Sequence, residues 1–256
     1  MFIDNLALTE VLLLFAAAIL TYTGIATFWA MRKNDPERVK ASLRGGAVPV
    51  GAVGISAVIL GLWSEMVWPY PSTMGGYNIL FNDVTLVFGI VMVAFAATAY
   101  LNLRLQYVGV LAFMAGAVTI LYGWTGYGFN YTKEPLDFFL LYAGFGAAGI
   151  AALPATLSVD YYLGTVVSSP TLWRSATPGG FRGRPFGVRA VQGLGAGKDS
   201  ESEGTPSKTS VLTYSMPTFL QLVVLAFPLF MALAAVAAWW FLGTTIPGHL
   251  TPGKTP

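Results

Sequence analysis

LTEVLLLFAAAILTYTGIATFWAM, residues Leu8 to Met31, decides the fold class. An α-helix rises about 1.5 Å per residue, so roughly 20 apolar residues cross the roughly 30 Å of hydrocarbon in a bilayer. This run is long enough to do so. It is continuous and rich in Ala and Leu, whereas strands of a membrane barrel alternate apolar and polar residues in short segments. The flank Met1-Phe2-Ile3-Asp4-Asn5 carries no lysine or arginine. A cleaved signal peptide starts basic and has a shorter apolar core, so the run reads as a retained membrane helix.

Five further runs have the same character: Ala47 to Trp68, Ile79 to Leu101, Gln106 to Trp124, Leu136 to Leu163 and Tyr214 to Gly243. Composition agrees. Of the 256 residues, 55% are hydrophobic and 10% charged, against about 25% charged in soluble domains. The expected fold is therefore all-α, a polytopic bundle of six transmembrane helices. Residues 1–163 form a five-helix membrane bundle, 164–212 a flexible basic loop, 213–243 the sixth helix and 244–256 a short outer tail. The loop is rich in Gly, Ser, Pro and Arg and lacks the apolar surface to fold alone.

Lysine and arginine concentrate in alternate connections. Loops one, three and five carry 12, and the other side carries 2. The positive-inside rule then places the long basic loop in the cytoplasm and both termini outside a cell membrane. Small residues repeat every four positions in the fifth helix, at Ala143, Ala147, Ala151 and Ala155, a spacing that brings helix backbones close in lipid. Pro154 and Pro228 fall inside spans, where kinks are expected. A faint repeat relates Ile59-Leu60-Gly61-Leu62-Trp63-Ser64 to Ile120-Leu121-Tyr122-Gly123-Trp124-Thr125, as if helices two–three and four–five were related hairpins.

Polar groups inside hydrocarbon are costly, so each is a candidate site. Glu65 lies near the outer end of helix two and Asp83 near the start of helix three, at similar depth. Asn78 and Asn82 share one helix face, and Trp63 and Trp68 stand nearby. These six residues form a candidate outer polar cluster. Two carboxylates at close range share a proton, recruit a cation or bind a basic partner; the alternative is interfacial decoration with an aromatic belt. Asp137 and Glu134 read as interfacial acids at a helix start. On the opposite side Asp160, near a helix C-terminus, wants a cation, and an Arg104–Asp160 ion pair is expected. Asn130-Tyr131-Thr132 fits the glycosylation acceptor pattern on the outer face.

Several chemistries lack their residues. There is no cysteine and one histidine, His249, outside the spans, so no haem, iron–sulfur or zinc ligand set is expected. No span holds a lysine for a retinal Schiff base. Gly193 to Lys198 mimics a phosphate loop but has Asp199 where a magnesium-binding hydroxyl belongs. No cofactor and no nucleic-acid partner is expected. Trp63-Ser64-Glu65, Trp68-Pro69 and Asn78 to Asp83 lie in a stretch that resembles an uncharacterised, mainly archaeal family of multi-pass membrane proteins. The resemblance implies a polytopic helical membrane protein and no assigned activity. Three functions remain open. A non-catalytic subunit of a larger membrane complex, joined to other subunits or to itself through small-residue faces, comes first. A small transporter or channel using Glu65 and Asp83 is second, and a membrane enzyme acting on a lipid or quinone is third. An enzyme is the less expected outcome.

Overall fold

The structure, a computed structural model, describes residues 5–67, 78–130, 134–167 and 217–250. They form α1 (Asn5–Arg32), α2 (Pro36–Val67), a π-helical turn (Asn78–Asp83) continuing into α3 (Val84–Tyr100), α4 (Gln106–Gly128), α5 (Pro135–Val167) and α6 (Thr218–Leu250). The chain divides into two compact units, one of Met1–Val166 with Ser215–Pro256 and one of Val167–Tyr214. The first contains the helices described here. The long loop and Trp68 lie outside the described residues. Among the described residues, six helices are long and apolar enough to cross a membrane, matching the six expected runs.

Their outer faces carry exposed Phe15, Ile55, Ile59, Leu121, Leu229, Leu233 and Val236. A helix in water turns polar residues outward; these are apolar on both faces, as a lipid surround requires. Tyr22 is 77% exposed on that outer face. Its neighbour Thr23 is buried and donates its hydroxyl to the Ile19 carbonyl at 2.8 Å.

The near end of the bundle is where α1 begins; the far end is where it finishes. At the far end α2 starts well before Ala47, so Arg38, Lys40 and Arg44 lie on a helix and not in a loop. The local sequence explains this. Asn34 adopts a left-handed φ of 52°, and the N–H of Asp35 reaches back to the Ala30 carbonyl at 3.1 Å, closing α1. Asp35 then caps α2 by accepting the Arg38 N–H at 2.9 Å, and Pro36 fits the first helical position. Asn102 repeats the device after α3 with φ 52°.

The expected Arg104–Asp160 ion pair is replaced by a different contact. Asp160 of α5 accepts the backbone N–H of Leu105 at 3.0 Å and of Gln106 at 2.8 Å. Leu105 stands at the N-cap of α4 with no side-chain oxygen of its own, so a carboxylate from the next helix supplies the cap. The positive pole of α4, not the exposed Arg104, neutralises Asp160. α3 and α4 are thereby tied to α5 at the far end.

Glycines set the helix spacing. A Cβ on Gly89 of α3 would stand 2.7 Å from the Val58 backbone nitrogen of α2, and one on Gly116 of α4 would stand 2.5 Å from the Gly146 carbonyl of α5. Hairpins α2–α3 and α4–α5 therefore both pack backbone to backbone. α1 and α6 complete the bundle, with Gly24 against Pro228. Of the α5 alanine stripe, Ala151 and Ala155 are buried while Ala143 and Ala147 are half-buried; Ala148 and Ala152 beside it are buried, and Gly144 sits against Ala234 of α6.

Removing the shared cap should be measurable. Asp160→Ala is expected to lower the unfolding free energy by about 1–2 kcal/mol, whereas Arg104→Ala should change it by less than about 0.5 kcal/mol. Denaturation in detergent, followed by circular dichroism, checks both. Equal losses would restore the ion pair.

Candidate functional site

The near end holds the bundle's polar interior, and the π-helical turn Asn78–Asp83 builds it. A π turn misaligns the helix hydrogen-bond ladder and leaves backbone groups needing other partners. Two hydroxyls supply them. Tyr142 of α5 donates to the Leu80 carbonyl at 2.7 Å, and Thr85 donates to the Phe81 carbonyl at 2.6 Å. Rings clamp the turn from the same side. Phe81 meets Phe138 edge-on at 5.5 Å, and Phe138 lies against Tyr142 at 4.3 Å. Asn82 is 3% exposed as a result, and Asp83 is half-buried.

Asp83 runs directly from the π turn into α3 and caps nothing, so its carboxylate is free for tertiary contacts. Tyr122 of α4 donates to Asp83 Oδ2 at 3.0 Å. Glu65 of α2, also half-buried, brings its carboxyl beside Asp83, with Tyr122 close to both. Glu65 Oε1 is buried and accepts no hydrogen bond. Two carboxyls and a phenol thus converge from three elements inside the spans. That arrangement holds one proton between the acids or one cation against them. Calcium takes six to eight oxygens, so a lighter charge fits this group better.

The sequence-derived cluster is assembled in part. Glu65, Asp83 and Asn82 lie in one layer. Trp63 does not join them: it is 41% exposed on the outer face of α2. Trp68 and the Asn78 side chain lie outside the described residues. Tyr122, which the sequence offered only as part of a repeat, is a direct ligand of Asp83. Asp137 accepts the Trp240 indole N–H at 3.1 Å, joining α5 to α6. Asn130 is exposed and ends α4 with φ 51°, the same backbone role as Asn34 and Asn102.

One acid was missed altogether. Glu10 of α1 is 2% exposed and lines a small cavity with Thr9, Thr85, Thr119 and Tyr142. The signal was in the first quoted run: Glu10 is the one charged residue between Leu8 and Met31, and an acid there is costly wherever the span faces lipid.

A family model described as "Protein of unknown function (DUF981)" matches residues 1–171, and the chain belongs to that family. The match takes in α1 to α5 and with them Glu10, Glu65, Asp83, Tyr122 and Tyr142. No curated protein and no solved structure is similar enough to match this chain.

The support of the π turn can be tested directly. Hydrogen bonds between membrane helices contribute about 0.6 kcal/mol on average and up to about 1.7, and Tyr142→Phe strands a buried carbonyl, so a loss of about 1 kcal/mol is expected. Thermal unfolding in detergent, read by tryptophan fluorescence, measures it. A Tyr142→Phe protein as stable as the wild type would mean the turn stands without this bond.

Proposed function

We propose that this DUF981 protein is a small transporter or channel of the cell membrane, with an outward-facing carboxylate vestibule formed by Glu65 and Asp83 and braced by Tyr122. The observation carrying this reading is the meeting of those three side chains, drawn from α2, the π turn and α4, inside spans that are otherwise apolar. An acid at a bilayer interface needs no partner from another helix. Three polar groups gathered from three elements incur a desolvation cost that function justifies.

An accessory subunit ranked first on sequence because buried charges are few, small-residue faces many and cofactor ligands absent. Part of those faces is occupied within the bundle: Gly116 against Gly146, Gly89 against Val58, and Ala151 and Ala155 of α5 inside the core. Less of those faces is left for a partner, whereas the argument for the carboxylates has gained Tyr122. The positive-inside distribution supports an outer near end, with Lys33, Arg38 and Arg44 at the inner one.

Two measurements test the reading. In reconstituted vesicles the wild type should dissipate a cation or proton gradient. Glu65→Gln or Asp83→Asn should slow this by about tenfold or more, the effect of losing about 1.4 kcal/mol of binding; unchanged flux would remove the vestibule. The chain has no cysteine, so single substitutions report sidedness cleanly. On intact cells a membrane-impermeant maleimide should label Gly128→Cys and spare Lys33→Cys. The reverse pattern would invert the topology.

A further inference from the structure

Glycine contacts fix the helices in three pairs. Gly89 of α3 lies against Val58 of α2, and Gly24 of α1 against Pro228 of α6. In the third pair a Cβ on Gly149 of α5 would stand 2.7 Å from the Ala112 carbonyl of α4. Backbones this close approach no further, so no pair can tighten to fill space beside it. A cavity of about 120 Å³ is left where the pairs meet. All six helices wall it, Leu20, Val50, Met92, Val108, Ala152 and Phe227 standing one on each.

The cavity is long and narrow. Its wall runs from Leu13 to Thr27 on α1 and from Phe145 to Val159 on α5, in each case about 21 Å at 1.5 Å per residue. One water needs about 10–15 Å³, so the volume holds a single file of small groups over that length and no compact ring system. Phe88 and Phe145 stand at the near end, edge-on at 5.5 Å. At the far end Leu43, Leu105 and Val159 belong to one buried cluster.

The surface of the cavity is carbon. Thr23 and Thr156 lie on the wall, but each donates its hydroxyl to its own helix, to the Ile19 carbonyl at 2.8 Å and to the Leu153 carbonyl at 2.9 Å. The Thr27 hydroxyl has no partner and is buried away from the cavity surface. Among the described residues no charged side chain lines the space. A buried water needs two to four polar partners, and this wall presents none. Left empty, the lining would forfeit dispersion contacts along its whole length. In a bilayer the surrounding solvent is itself hydrocarbon, and it matches the cavity in polarity and in shape.

We infer that the cavity binds one hydrocarbon chain of a bilayer lipid, extended along the bundle. Glu65, Asp83 and Tyr122 take no part in its lining, so the site is separate from the vestibule and stands whether or not the protein transports.

The test uses the full chain in phosphatidylcholine vesicles that include a phosphatidylcholine with a diazirine at the end of one acyl chain. Irradiation joins that chain end to whatever it touches, and mass spectrometry of the digested protein locates the adducts. Adducts are expected on buried Met92, Val108 or Val224, beside those that any lipid leaves on outer Phe15 and Leu233. Ala152→Phe fills the cavity and should lower the inner adducts about tenfold while sparing the outer ones. If circular dichroism shows Ala152→Phe unfolded, Ala155→Leu serves instead. A Glu65→Gln, Asp83→Asn double variant should label like the wild type, so failure of the vestibule leaves this result untouched. Adducts confined to outer residues, or inner adducts kept in full by the filling variant, would overturn the inference. Inner labelling by a diazirine-capped hexadecane but not by the phosphatidylcholine would overturn it too, assigning the cavity to a free apolar molecule.

Discussion

The hydrogen bond from Tyr142 to the Leu80 carbonyl supports an arrangement that a membrane helix does not otherwise tolerate. In hydrocarbon there is no water to satisfy a backbone group displaced from its ladder. A π turn displaces such groups. Because a tyrosine from α5 reaches across to one of them, and Thr85 to another, the chain can enter α3 through a widened turn. The consequence is positional: Asn82 and Asp83 point into the bundle at a depth where Tyr122 and Glu65 meet them. The polar layer depends on an irregular turn, and that turn depends on hydroxyls from its neighbours.

The two ends of the bundle treat acids differently. At the far end two acids serve helix starts. Asp35 caps its own helix and Asp160 caps α4 from α5. These are charges matched to helix dipoles, and their work is structural. At the near end Glu65 Oε1 accepts no hydrogen bond, Asp83 accepts from a phenol rather than from a helix N-terminus, and Glu10 is buried beside a small cavity. The contrast is the reason for placing function at one end and architecture at the other.

Packing follows from the same solvent. With lipid outside, burying leucines gains little over leaving them exposed, so close backbone approach holds the helices together. Gly89 on Val58 and Gly116 on Gly146 bring each hairpin to a spacing no larger residue permits. The large apolar side chains are released to the outside, where Phe15, Ile59 and Leu233 are exposed. Where larger rings do turn inward they pack between helices, as Phe81 does on Phe138 and Phe88 on Phe145, the latter pair also bordering cavities.

Six helices and their order were legible in the sequence, because uninterrupted apolar runs of sufficient length have one solution in a bilayer; their ends were legible only in part, since α2 starts at Pro36 rather than Ala47 and α6 runs from Thr218 to Leu250, into the expected tail, rather than from Tyr214 to Gly243. The early start of α2 was also written there, in Asn34-Asp35-Pro36, although the apolar pattern drew attention to Ala47 instead. The site was legible only as a list of acids. Which partner each acid takes is a relation between helices, and residues such as Asp160 with Gln106, or Asp83 with Tyr122, are 54 and 39 positions apart. Nothing in local sequence encodes that Trp63 faces outward while Glu65 faces Asp83, since both lie in one turn and are separated only by rotation about the helix axis. The π turn was equally hidden, because its backbone is satisfied by Tyr142 from another helix. The tertiary structure alone decided these points: in a medium without water, each polar group is placed by the partner that reaches it.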